Sequence, residues 1–206
     1  MVAAWADETA AALGMTSTQA QTAAAGIADL LKPMGFTAEA AAGMSTDLMD
    51  LSGALSAWSA GKYTATEASE ILAAAMLGER DGLKGLGIAI SEADVQARVA
   101  ANGQAELTGA ALEQAKAVAT QQLIVEKSAD AQRAWNDGSM AATQAQNALS
   151  ASVAQAKESV VGLIGPLVSA LVPALTAAVS QVQVFVAWLR EHDSVAQALA
   201  VAVGVV

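Results

Sequence analysis

Ten residues hold the most suggestive chemistry in this sequence: Gly78-Glu79-Arg80-Asp81-Gly82-Leu83-Lys84-Gly85-Leu86-Gly87. Four glycines beside two cations are what a phosphate loop would need, because glycine lets backbone N–H groups close around an anion. The spacing does not fit. A Walker loop sets Gly-Lys-Ser/Thr at the start of a helix after a strand, whereas Lys84 is followed by Gly-Leu-Gly and no strand pattern precedes it. A dinucleotide fingerprint fails on spacing and on the missing strand. The stretch reads instead as a helix stop and a tucked turn, with the short apolar run Ile88-Ala89-Ile90 leading to a new helix start at Ser91.

Other chemistry-bearing residues are sparse. His192 stands between Glu191 and Asp193, but with His 1 and Cys 0 a metal there would rest on carboxylates alone, and the trio reads as a solvated helix end. A Ser-His-Asp triad would hang on the same histidine. Glu158-Ser159 matches the Glu-Ser pair of lytic transglycosylases, yet the Gly- and Gln-containing sequence expected downstream is missing, so Glu158 reads as a helix surface residue. Trp5, Trp58, Trp135 and Trp188 are scattered; Trp188 beside Arg190 suits a membrane-interface anchor or a helix-end core position. No catalytic, cofactor-binding or metal-ligating set emerges, and the expectation is a protein without a turnover reaction.

Composition narrows the class of elements that could position any site. The chain has 206 residues, 54% of them hydrophobic but only 3% aromatic, so much of the apolar fraction is alanine. Alanine favours helix and buries little area per residue, which predicts closely packed helices around a thin core. Three prolines and little β-branched alternation agree. The expected fold class is all-α. A net charge of −10 with no Lys/Arg cluster disfavours nucleic-acid phosphates as partners. A mean hydropathy of +0.42 is high for so acidic a chain, so the apolar residues must be unevenly placed.

They are, and the pattern divides the sequence into 1–103, 104–158 and 159–206. The first region reads as short α-hairpins joined at glycine turns. "GMTSTQA" and "GFTAEAA" both set Gly, a large apolar residue and Thr before a helix start. Gly14 and Gly35 suit the left-handed residue that ends a helix, and Thr16 and Thr37 the N-cap of the next. Thr16 with Gln19, and Thr64 with Glu67, have capping-box spacing. Helices are predicted near 17–31, 37–58 and 65–77, with Ile27, Leu30, Leu31, Leu48, Leu51 and Leu55 at helical spacing. In the second region Leu107, Ala111, Ala115, Val118, Leu123, Val125 and Ala129 make a narrow stripe. That predicts two long helices broken at Asn136-Asp137-Gly138, hairpin or coiled-coil-like, needing a partner helix from the same chain or a copy.

The third region carries no charged side chain between Glu158 and Arg190. Residues 160–179 are long enough to span a hydrocarbon core as a helix; a buried central hairpin broken near Pro173 is the other reading, and the two are compatible. Gly162, Gly165, Ser169 and Ala170 would permit close helix contacts. "MVAAWADETA" has neither the basic start nor the apolar core of a secretory signal, and the apolar run still open at Val205-Val206 points to a longer parent chain.

"EILAAAMLGERDGLKGLGIAISEADVQARV" closely resembles a segment recurrent in tail tape measure proteins of long-tailed bacteriophages and prophages, in which a helix ending in Leu-Gly-Glu precedes a Leu-Lys-x-Leu-Gly-Ile turn and a new helix. "LLKPMGFTAEAAAGMSTDLMDLSGALSAW" is similar to the upstream part of that family, and "LTGAALEQAKAVATQQLIVEKSADAQ" to the helix that follows; the likeness covers about residues 10–155. The resemblance implies a structural protein, extended and mostly helical, lying in several copies in the lumen of the tail tube and setting its length. The implied partners are the tail tube protein, tail assembly chaperones and copies of the chain itself, with no specific nucleic-acid binding and no cofactor. The implied locations are the host cytoplasm during assembly, the virion's tail tube, and the host membrane at ejection, where apolar segments help the genome through the envelope. Fully helical, 206 residues would reach only about 300 Å, so the sequence would be one piece of a ruler. A pore-forming helical protein working through 160–206 is the alternative from a different class.

Overall fold

A computed structural model describes residues 2–162, 183, 184 and 187. Every regular element among them is a helix, so the all-α expectation holds. Two compact units are resolved, Met1–Gln155 and Ala156–Val206.

The first unit begins with α1 (Val2–Thr9), which runs through a turn to Gly14. There φ is +78°, and the amides of Gly14 and Met15 return to the carbonyls of Ala11 and Ala10. This is a Schellman closure, with Met15 and Ala10 both buried over it. Thr16 then caps α2 (Ser17–Leu31) in a complete capping box with Gln19. Pro33 sits in a short 3-10 turn that ends at Gly35, φ +92°, and Thr37 caps α3 (Ala38–Trp58). Thr64 and Glu67 form a second complete box at the start of α4 (Ala65–Met76). The predicted hairpins, the left-handed glycines and the threonine caps are all present.

Helix α3 lies at the centre of this unit. From Leu48 to Leu55 every position except Asp50 is buried, and α1, α2, α4 and α7 (below) pack on it. Burial on several sides demands small residues, and α3 supplies Ser45, Ser52 and Gly53 among its leucines. The buried hydroxyls cost little, because Ser45 donates to the carbonyl of Ala42 (2.8 Å) and Ser52 to that of Met49 (2.6 Å). Gly53 marks the closest approach: a Cβ there would stand 2.3 Å from Leu13 Cδ2 and 3.4 Å from the Trp135 ring.

Beyond α4, a 3-10 turn over Asp81–Leu86 leads to α5 (Glu92–Ala101), α6 (Gly109–Lys127) and α7 (Ala129–Asn136). Residues 141–155 are again helical. The unit takes in the first sequence region and the second as far as Gln155 without a boundary near residue 103, because α5 packs on α6 and α6 reaches back to α4. The second unit is helical at 156–162, 183, 184 and 187, and its described valines 160, 161 and 184 are exposed. The remaining part of 159–206, with the possible membrane span and Trp188, Arg190, Glu191, His192 and Asp193, lies outside the described residues. Among the described residues, no helix is long and apolar enough to cross a membrane.

Two expectations about helix faces are corrected. Leu30, placed with Ile27 and Leu31, is 44% exposed, because α2 turns Ile27 and Leu31 inward and leaves Leu30 on the lip of a groove toward α4. The narrow stripe is buried only in part: Ala115 and Leu123 are buried and Leu107 and Val118 pack against the core, but Ala111, Val125 and Ala129 face outward, and Ala117, Ala119, Thr120 and Ile124 beside the stripe are buried as well. The face is broader because α6 is covered from two directions, and its partners come from the same chain. The predicted break at Asn136-Asp137-Gly138 is present, but Ser128 makes an earlier one between α6 and α7.

Candidate functional site

The glycine-rich stretch is built as a corner. Leu77 caps α4, and at Gly78 (φ +101°) the amides of Gly78 and Glu79 donate to the carbonyls of Ala75 and Ala74. The 3-10 turn follows and closes the same way at Gly87 (φ +80°), with Gly87 and Ile88 donating to Lys84 and Leu83. Burial then alternates: Leu83, Leu86, Ile88 and Ile90 point into the core, while Asp81, Lys84, Gly87 and Ala89 face out. Gly82 and Gly85 are required for close approach instead of left-handed backbone. A Cβ on Gly85 would lie 2.3 Å from the Tyr63 hydroxyl and 3.0 Å from its Cζ, and one on Gly82 would lie 3.1 Å from Ile71 Cγ2. Ser91 opens α5 with a reciprocal cap to Asp94, whose carboxyl is held below its ordinary range first by the Ser91 backbone N–H and then by its hydroxyl.

Charge is concentrated on one side of this corner. The Arg80 side chain is only 12% exposed; its Nη2 donates to Glu92 Oε2 (2.6 Å) and its Nη1 to the carbonyl of Gly78 (3.2 Å). Nε of the same guanidinium is buried with no hydrogen-bond partner. Glu92 also meets Lys116 of α6 at 3.3 Å, and Lys116 meets Glu113 at 3.4 Å. Partial burial opposes ionisation of Glu92, but hydrogen bonds from Lys116 and Gln96 and the charges of Arg80 and Lys116 outweigh it, so its carboxyl is held down. The hydrogen bond to Glu92 leads the causes that hold the Lys116 ammonium up. The network ties the end of α4, the corner, α5 and α6 together.

The arrangement offers an anion little. The amides of Leu83, Gly87 and Ile88 are spent on carbonyls of the turn itself, Lys84 is paired with Asp81 (2.8 Å), and Arg80 already holds a carboxylate. The adjoining hollow of about 650 Å³ is walled by Glu67, Glu70, Glu79 and Asp81 as well as Tyr63 and Arg80. The four glycines here serve the backbone and the core: Gly78 and Gly87 close turns, and Gly82 and Gly85 allow close packing. Among the described residues, no group of three His, Asp or Glu side chains stands close enough to hold a metal ion. Among the described residues the carboxylates that touch hydroxyls, Asp7 with Ser17, Glu67 with Thr64, Asp94 with Ser91 and Asp137 with Ser139, are exposed. Glu158 is an exposed helical residue of the second unit. Of the tryptophans, Trp5 donates from Nε1 to Asp50 Oδ1 (2.9 Å), Trp58 is exposed, and Trp135 packs beside Gly53.

Sequence reasoning missed the Arg80–Glu92–Lys116 network, whose members lie far apart in the chain and carry no common pattern. It also missed a groove of about 790 Å³ between α2 and α4, with Leu13, Met15, Ile27 and Leu30 among its apolar lining. Nothing in the sequence set Leu30 apart from Ile27 and Leu31, so the groove left no signal there. The chain matches no protein-family model, no curated protein and no solved structure.

Proposed function

We propose that this chain is a segment of a phage tail tape measure protein. In this reading it is a structural element of the tail tube lumen, received from assembly chaperones, that contributes to tail length and leaves the tube ahead of the genome. One observation carries it. In "LGERDGLKGLGIAIS" the four glycines and Leu83, Leu86, Ile88 and Ile90, which bear the family resemblance, are spent on turn closure and core packing, while Leu77 is exposed. Support also comes from the alanine-rich helices and from an acid surplus that keeps the chain off DNA. The test is in-frame deletion in a parent phage. Removing residues 110–136 is expected to shorten tails by about 40 Å, at roughly 1.5 Å per helical residue. Tails of unchanged length would refute a ruler role for that stretch.

The pore-forming alternative draws on one feature: Val160 and Val161 sit exposed on a helix that leads into a run of sequence without charges. Dye release from anionic liposomes by the full chain, abolished by Val168→Asp or Leu171→Asp, would favour it.

A further inference from the structure

Helices α6 and α7 meet at a single residue, Ser128, although residues 110–137 contain neither glycine nor proline. Most of the sequence favours helix, Ser128 and Asp130 less so, but neither is a helix breaker of the glycine or proline kind. Both helices close on this residue: the Ser128 main-chain amide makes the last bond of α6, to the Ile124 carbonyl (2.9 Å), and the Gln132 main-chain amide the first of α7, to the Ser128 carbonyl (3.0 Å). Ser128 itself departs from helical geometry mainly in ψ, at φ −101°, ψ 11°.

Side chains hold the bend. The buried Ser128 hydroxyl donates to the carbonyl of Ile124 (2.7 Å) and lies 3.2 Å from that of Val125. The Gln132 amide donates to Val125 O (2.8 Å) and to Ser128 Oγ (2.8 Å). A straight helix would give the Val125 carbonyl to the amide of residue 129; here a clamp of two polar side chains has it, and such back-bonding is a known cause of helix bending. What aims α7 away from the line of α6 is its seat on α3. That seat is small: Ala131 is the buried residue of α7, and Trp135 fits over Gly53.

We propose that Ser128 is a hinge, and that α6 and α7 are one helix bent there, which straightens into a continuous rod over residues 110–136 when α7 leaves α3. This stands apart from the functional reading above and holds or fails without it. Two states follow from the geometry: a bent one stabilised by the Trp135–Gly53 fit and the Ser128–Gln132 clamp, and a straight one stabilised by restored main-chain bonding.

The natural chain lacks cysteine, so spin labels on exposed positions in an Ala111→Cys/Arg133→Cys full-length protein report a single distance. In the otherwise native protein one population is expected, shorter than the straight form. Adding Trp135→Ala is expected to raise a second population near 33 Å, the length of roughly 22 helical residues, with unchanged helix content by circular dichroism. A distance that stays at the native value would overturn the hinge. So would a broad distribution with loss of about eight residues of helix, because α7 would then melt when released. Should Trp135→Ala fail to fold, Ser128→Ala/Gln132→Ala keeps the anchor and opens only the clamp; it is expected to enrich the longer distance, and no change in it would equally reject the idea.

Discussion

At the residue scale, two kinds of glycine do different work, and substitution separates them. Gly87 is held at φ +80° by the Schellman closure, and its Cβ would meet nothing. Gly87→Ala is therefore expected to cost about 1–2 kcal/mol from left-handed backbone alone. Gly85 has no such conformation but faces Tyr63, so Gly85→Ala is expected to lose roughly 1–3 kcal/mol from overpacking. Urea denaturation of the two variants in Tyr63→Ala backgrounds distinguishes them: the Gly85 penalty should shrink without the ring and the Gly87 penalty should not. The left-handed positions were legible in the sequence at Gly14 and Gly35, each standing just before a helix start with a Thr cap. The close approaches at Gly85 and Gly53 were not, since each depends on a side chain brought from elsewhere in the chain.

Among the elements, the hairpin helices were readable because their start signals are local and complete. Thr64→Ala removes the acceptor for the Glu67 amide and is expected to cost about 1 kcal/mol. Core position matters more: Leu83→Ala is expected to destabilise by roughly 2–5 kcal/mol, while Leu30→Ala at the exposed lip should stay within about 1 kcal/mol. Equal losses at the two leucines, in the same denaturation assay, would contradict this assignment of helix faces. The face of α6 was legible only in part. Its alanines at 110, 111, 115, 117 and 119 blur the contrast between sides, so the packing of α4 and α5 decides which of them are covered.

For the whole molecule, charge decides where stability is lost. Glu67, Asp94 and Glu126 all have carboxyls held down, by the Thr64 backbone N–H, the Ser91 backbone N–H and the Arg98 guanidinium respectively, and Glu92 joins them. A depressed folded-state pKa adds stability that is fully present above the ordinary carboxylate value and fades as pH falls through the folded one. Thermal midpoints should therefore drop below about pH 4, the usual carboxylate range. A Glu67→Gln/Asp94→Asn variant should be less stable at neutral pH and show a shallower acid decline; an unchanged slope would remove these caps from the account. The all-α class was readable from composition, whereas the union of residues on both sides of 103 was not, because it rests on contacts between α5 and α6 that leave no periodic mark.

Each corner at Gly14, Gly78, Gly87 and Gly103 satisfies its carbonyls from its own next two amides. No joint borrows main-chain bonding from the helix it leads to. A lineage could thus splice, duplicate or transplant such a corner with a flanking helix and keep the bend intact, giving a polypeptide that grows by whole pieces without redesigning its joints.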